Sequence, residues 1–265
     1  MKLFNGRLIL RDKRTIVVIL RRGVFKFLIG RDATIRFAHE LEGQWRAMLD
    51  PMWASLVHPV KCIPFGMMSA RCWPVCPDDS RINTLISERL AWIERDSPRC
   101  RADTVVDTSL LDGRVADDLG KEALAAWVKH YLGGFELPLS SAHGDFHLGN
   151  IMVFRGGLVM IDWEYYRKHS CFLFDVMHFY VQKLREEVRE SWVEVAFKRL
   201  PEYPVILDLA KRFGVGCIQL VVAYAVNRSA MEALNDGANV GRISVEHREK
   251  FVRLLDYIDP LVRQA

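Results

Sequence analysis

The chain has 265 residues, 50% hydrophobic and 26% charged, a composition that can bury a large core and excludes a disordered protein. Its formal net charge of +4 is mildly basic, which reads first as ordinary scatter in surface charge and second as a preference for anionic substrates or a membrane surface, and no nucleic-acid partner is expected. Met1 to Gly6 lead into charged residues without a secretory apolar core, and the most apolar helix candidate, Val215 to Val226, is interrupted by Gln219, so a cytoplasmic protein without a membrane span is expected. The 6 cysteines are irregularly spaced. Most are expected to be free thiols, and the lone Cys72-Trp-Pro-Val-Cys76 pair argues against zinc.

Three apolar, β-branched runs open the chain: Arg7 to Leu10, Thr15 to Leu20 and Val24 to Ile29. The turn-like segments Arg11-Asp12-Lys13-Arg14 and Arg21-Arg22-Gly23 separate them, so three antiparallel strands are expected. Lys26 lies between Phe25 and Phe27 in the third, where on this pattern alone it reads as an outward-facing strand lysine. Asp32 is a suitable N-cap for a helix from Ala33 to Leu49, with an apolar stripe of Ile35, Ala38, Leu41, Trp45, Met48 and Leu49. Its spacing from Trp45 and Leu49 sets Glu42 beside the buried face, with Glu40 as the competing position. Val60 to Ala70 and Arg71 to Val75 read as two more strands and Ser80 to Glu94 as a helix. Arg95 to Arg114 reads as irregular, and Asp117 to Leu132 as a helix closed by Gly133-Gly134. Beyond residue 170, helices are expected from Cys171, over Pro204 to Phe213, over Gly216 to Leu234 and over Val245 to Val262.

The stretch from Leu139 to Tyr166, LSSAHGDFHLGNIMVFRGGLVMIDWEYY, concentrates the chemistry. Asp145 follows an apolar run and lies between glycine-containing turns, which suits an exposed, fixed carboxylate able to accept a proton from a hydroxyl. Ile151 to Phe154 pairs with Leu158 to Asp162 across Arg155-Gly156-Gly157, a three-residue connection. That hairpin brings Asn150 and the acidic pair Asp162 and Glu164 together as hard oxygen ligands of the kind Mg²⁺ takes beside phosphate oxygens. A base and metal ligands on one face is what phosphoryl transfer requires.

His143-Gly-Asp145-Phe-His-Leu-Gly-Asn150, followed by Ile161-Asp162-Trp163-Glu164, resembles the catalytic loop and metal motif of the aminoglycoside phosphotransferase and choline kinase superfamily, relatives of the protein kinases. The resemblance implies an α+β, two-lobed, protein-kinase-like fold: a small antiparallel-sheet N-lobe over residues 1–78 and a larger, mainly helical C-lobe over 79–265. It implies Asp145 as catalytic base, His143 as a brace of the loop, and Asn150 and Asp162 as holders of Mg²⁺, with Glu164 of the same acidic cluster as a further metal candidate. His147 either touches the γ-phosphate or hydrogen-bonds within the loop. Lys26 becomes the lysine that grips the ATP phosphates, and the helix after it supplies a glutamate partner, Glu42 being preferred to Glu40. The turn Arg11 to Arg14 lacks the glycines that often cover the phosphates, leaving Lys13 and Arg14 as point charges for that task. Cys76-Pro77-Asp78 becomes the hinge beside adenine, and Asp175 the residue that hydrogen-bonds the catalytic loop.

For the acceptor, the C-terminal helices interleave Asp208, Glu232 and Glu249 with Lys211, Arg212 and Arg253, which gives no acidic excess for a polycationic aminoglycoside. Trp163, Tyr165, Tyr166 and Tyr180 could form a cage for choline or simply pack the core. A neutral or anionic sugar hydroxyl, on an envelope glycan or a lipid-linked intermediate with peripheral membrane contact, fits the mildly basic balance best. The reading from another class is a nucleotide-binding pseudokinase or scaffold.

Overall fold

The computed structural model describes residues 7–12, 15–20, 23–28, 33–63, 67–70, 72–76, 79–111, 120–237 and 245–262. Lys13, Arg14, Asp32, Pro77, Asp78 and Asp117 lie outside them. The fold is α+β and two-lobed, and the chain divides into two compact units, Met1–Arg89 with Asp145–Arg167, and Leu90–Gly144 with Lys168–Ala265.

The first unit begins with β1 (Arg7–Asp12), β2 (Thr15–Leu20) and β3 (Gly23–Leu28), the expected antiparallel meander. Helix α1 (Ala33–Met48) follows, then β4 (Lys61–Ile63), β5 (Met67–Ala70), β6 (Trp73–Pro74) and α2 (Ser80–Asp96). Five strands form one antiparallel sheet in the order β1-β2-β3-β5-β4. The fourth and fifth strands both come from the segment read as one strand, Val60 to Ala70. The segment read as the fifth, Arg71 to Val75, yields only the short β6, which leaves that sheet and pairs Trp73 and Pro74 with Val153 and Met152. Alternation sets which residues share a strand face but does not choose the neighbouring strand. In α2 the expected face, Ile82, Leu85, Ile86, Leu90 and Ile93, is buried.

Helix α1 reverses its expected orientation. Its buried residues are Glu40, Gly43, Gln44 and Ala47. Ile35, Trp45, Met48 and Leu49 are exposed, Trp45 at 62% and Leu49 at 68%. The inner face meets backbone groups and the Lys26 ammonium rather than apolar side chains, so it is small and polar. Gln44 Oε1 accepts from the Val60 N–H at 3.2 Å, and a Cβ on Gly43 would lie 2.0 Å from the Trp163 carbonyl oxygen. On helix propensity alone Gly43→Ala would stabilise by about 1 kcal/mol. The clash with a backbone atom outweighs this, and we expect Gly43→Ala to be destabilised by roughly 1–3 kcal/mol. A raised melting temperature in that variant would show that the approach of α1 to Trp163 is not tight.

In the second unit, β7 (Arg99–Arg101) runs into the short α3 (Ala102–Val105), followed by α4 (Glu122–Leu132), β8 (Glu136–Pro138) and β9 (Ser140–Ala142). Strand β7 pairs with β8, so part of the segment expected to be irregular is ordered by a partner 35 or so residues downstream, a pairing invisible in a three-residue run. The chain returns to the first unit for the hairpin of β10 (Ile151–Phe154) and β11 (Gly157–Met160). It then forms β12 (Arg167–Ser170), which pairs with β9, and helices α5 (Phe172–Val188), α6 (Trp192–Lys198), α7 (Pro204–Arg212), α8 (Cys217–Gly237) and α9 (Val245–Val262). Helix α6 escaped the sequence reading, although Ser191 and Glu194 form a full capping box at its start. Residues Phe172 to Val181 of α5 are all buried, and His178 Nδ1 meets the Tyr224 hydroxyl of α8 at 3.0 Å. Cys72 and Cys171 are buried free thiols, pushed up to about 12 by that burial. No helix among the described residues is long and apolar enough to cross a membrane.

Candidate active site

Lys26 sits in β3, the middle strand of the five, paired in register with Val17 on one side and Met68 on the other. Its ammonium lies 2.6 Å from Asp162 Oδ1, 3.1 Å from Glu40 Oε2 and 4.0 Å from Glu164 Oε2. Burial opposes a charge on this lysine, but Asp162, Glu40 and Glu164 together outweigh it and hold the ammonium well above the usual lysine range. The carboxylates are less well served. Burial pushes Glu40 and Glu164 upward against the attraction of Lys26, and Asp162 adds like-charge repulsion to both. Arg36, one turn before Glu40 on α1, approaches the other oxygen of Glu164 at 3.7 Å.

The glutamate that pairs with Lys26 is therefore Glu40, and the expectation for Glu42 is corrected. Glu42 lies on the exposed side of α1, where it bonds Arg46 at 2.5 Å. The reason is the reversed burial of the helix, since choosing Glu42 assumed that Trp45 and Leu49 face inward. Glu40 has a second bond that explains its place: Oε1 accepts from the Trp163 backbone N–H at 2.9 Å. One carboxylate thus ties β3, α1 and the residue after Asp162 together. Asp162 itself has φ of 69°, in the left-handed region that Asp enters more readily than most side chains. This turn directly follows β11 and delivers the carboxylate to Lys26.

The loop before the hairpin is held at several points. The Asn150 side-chain nitrogen donates to the Asp145 carbonyl at 2.8 Å and to Asp145 Oδ2 at 2.9 Å. His147 Nδ1 accepts from the Gly149 N–H at 3.0 Å, so the ring proton belongs on Nε2, which faces Asp145 Oδ2 at 3.3 Å. This is the within-loop alternative for His147. Asp145 also adds to the repulsion felt by Glu164, so the loop carboxylate and the Lys26 cluster share one electrostatic neighbourhood inside the first unit. Phe154 pairs with Gly157, making the hairpin turn two residues, Arg155 and Gly156, with φ of 50° and 83°. The expected three-residue connection is corrected to this tighter form, whose doubly positive φ matches the twist of the strands.

Within the second unit, the carboxylate of Asp175 on α5 accepts from the His143 N–H at 2.7 Å and from the Gly144 N–H at 2.8 Å. Asp175 lies in the first turn of its helix, yet its oxygens serve the loop. His143 is fully buried there. The structure thus groups Lys26, Glu40, Asp162 and Glu164, and separately groups Asp145, His147 and Asn150. It leaves Glu42 apart. Lys13 and Arg14 lie outside the described residues, as do Pro77 and Asp78 of the expected hinge. The sequence reading missed Arg36 and Gly43; the small residue midway along an otherwise amphipathic helix was the available sign for the latter.

Similar solved structures include a choline/ethanolamine kinase family protein from Mesorhizobium loti, at 14% identity over 97% of this chain and 90% of that one, with a TM-score of 0.45. Choline kinase LicA from Streptococcus pneumoniae shows 12% identity over 96% and 93%, with a TM-score of 0.48. The GDP and kanamycin complex of APH(2″)-IIIa shows 13% identity over 97% and 93%, with a TM-score of 0.48. Among curated proteins no sequence match is found. The family model described as the phosphotransferase enzyme family matches residues 76–208, a span that contains the whole of the loop and hairpin built above. The chain belongs to that family, and it is a phosphotransferase with an alcohol group as acceptor.

Proposed function

We propose that the enzyme transfers the γ-phosphoryl group of ATP to a hydroxyl of a small molecule, with a sugar or an envelope-glycan intermediate as the first acceptor class. The observation that carries this reading is the placement of Lys26 between Glu40 and Asp162 in the unit that also holds Asp145 and Asn150. Asp145 takes the proton of the attacking hydroxyl as its oxygen bonds to the γ-phosphorus and the bond to the β-phosphate oxygen breaks. Asn150 and His147 hold the carboxylate in place for that transfer. Lys26, kept charged by its neighbours, meets the phosphates, with Glu40 as its anchor. An apolar core cluster of Val24, Ala70, Cys72, Met152 and Val159, with Val17 and Ile161 packed against it, joins the sheet of Lys26 to the hairpin that carries Asp162. The lobe boundary near residue 78 belongs to this reading.

Such a reaction implies Mg²⁺, and the donors fit a hard divalent ion. Glu40, Asp162 and Glu164 offer carboxylate oxygens all within 4.8 Å of one another, and a divalent ion among them would relieve the repulsion that burial and crowding impose. Asp162 and Glu164 would hold the ion, with Asn150 through its side-chain oxygen, because its nitrogen is committed to Asp145. The ion supplies neutralisation of charge on the phosphate oxygens. The test of the acceptor is mass spectrometry for ATP-dependent phosphate addition to a panel of neutral sugars, sugar acids, aminoglycosides and choline. Addition to a neutral or anionic sugar is expected. Addition only to kanamycin or choline would replace this acceptor class with the other, and protection by ATP and Mg²⁺ in thermal shift without any transfer would favour a nucleotide-binding scaffold.

A further inference from the structure

Helix α8 places a charged side chain on the peptide that leads into Asp145. Arg228 is 8% exposed, a costly place for a guanidinium unless its donors are paired. Its Nε donates to Glu232 Oε1, one turn on, at 2.8 Å. Its Nη1 donates to the carbonyl oxygen of Gly144, also at 2.8 Å. That carbonyl belongs to the peptide bond between Gly144 and Asp145, and a planar peptide group whose oxygen is fixed has its N–H direction fixed with it. The other side of Gly144 is held by Asp175 through its N–H. Gly144 itself has φ of 83°, a conformation open to glycine but costly for other residues.

We infer that Arg228 is a positioning residue for phosphoryl transfer: together with Asp175 it clamps both peptide groups of Gly144 and so sets the direction in which the chain delivers Asp145. The loop has glycine between His143 and Asp145, so the peptide there carries no side chain able to fix it. A buried cation from a helix more than 80 residues downstream takes that role, and Glu232 compensates its charge. The guanidinium fork matters, because one group must reach the Glu232 carboxylate and the Gly144 carbonyl at once, which an ammonium does less well.

The inference rests on Asp145 acting as the base, so Asp145→Asn is measured beside the Arg228 variants. The assay is phosphate release from ATP with Mg²⁺, using water as acceptor, together with transfer to whichever member of the acceptor panel is phosphorylated. Arg228→Met is expected to lower kcat by about 10- to 100-fold, the scale of a small misplacement of a reacting group, with KM for ATP changed by less than about twofold. Arg228→Lys should recover part of that loss. The Gly144 carbonyl and Glu232 left behind should lower the melting temperature of Arg228→Met, and under conditions where the variant stays folded hydrogen exchange should quicken in peptides covering 143–150 and not elsewhere, a pattern that a merely structural arginine would not produce. Should Arg228→Met fail to fold, Glu232→Gln leaves the arginine in place but loosens it, and a kcat lowered roughly threefold at unchanged KM is then expected. If Asp145→Asn is inactive while the Arg228 and Glu232 variants match the parent in kcat and exchange, this inference falls and the catalytic reading stands. If Asp145→Asn is fully active, both fall, because the clamp then has nothing to position.

Discussion

Asp145→Asn is expected to lower kcat for phosphoryl transfer by roughly 10²- to 10⁴-fold, the usual contribution of a positioned general base. The substitution keeps the size of the side chain, and its oxygen can still accept from the Asn150 side-chain nitrogen that now bonds Asp145 Oδ2. The backbone of the loop is held independently, through the Asp145 carbonyl by Asn150 and through His143 and Gly144 by Asp175. The fold and the KM for ATP should therefore be preserved. A thermal melt within a degree or two of the parent, alongside lost turnover, is the expected pair of results. A kcat within about threefold of the parent would remove Asp145 from the chemistry.

The second large effect separates two glutamates only two positions apart. Glu40→Ala removes one anchor of Lys26 and leaves the buried Trp163 N–H without its acceptor. An unsatisfied buried donor costs on the order of 1–3 kcal/mol, so both stability and kcat/KM for ATP should fall. Glu40→Gln is the more informative change. An amide oxygen still accepts from Trp163, and the crowd of buried carboxylates loses one charge, so stability should change little. Lys26 loses an anionic partner, and kcat/KM for ATP should drop by about 10-fold or more, a cost of roughly 1.4 kcal/mol or above. Glu42→Gln breaks only the exposed pair with Arg46, worth about 0.3–0.5 kcal/mol, and should leave kinetics within about twofold. Kinetics of the three variants side by side decide the matter; a Glu42→Gln defect as large as that of Glu40→Gln would contradict the pairing seen here.

The sequence marks out local features well. The meander over residues 7–28, the amphipathic face of α2 and the helix Val245–Val262 follow from short-range alternation and helical spacing. The loop chemistry is also local. Asp145, His147 and Asn150 lie within six residues, so a short turn must bring them together, and the hairpin of β10 and β11 carries Asp162 and Glu164 back toward them. Helix α1 shows where such reasoning fails. Hydrophobic periodicity finds the buried face only when that face meets apolar side chains. The inner face of α1 meets the backbone at Val60 and Trp163, so Glu40, Gly43 and Gln44 are buried and Trp45 and Leu49 are not. The same limit hid the exchange of β6 to the hairpin, since pairing is settled by long-range partners.

What the sequence by itself determined is the family motif and the close grouping of Asp145, His147 and Asn150, because residues at fixed short spacing must share one turn. What only the tertiary structure decided is which distant charges serve it: Glu40 rather than Glu42 beside Lys26, and Asp175 and Arg228 on the two peptide groups of Gly144. Those contacts span from 14 residues to more than 80 along the chain, and their energy comes from burial and from bonds to backbone groups that present the same donors and acceptors whatever the residue.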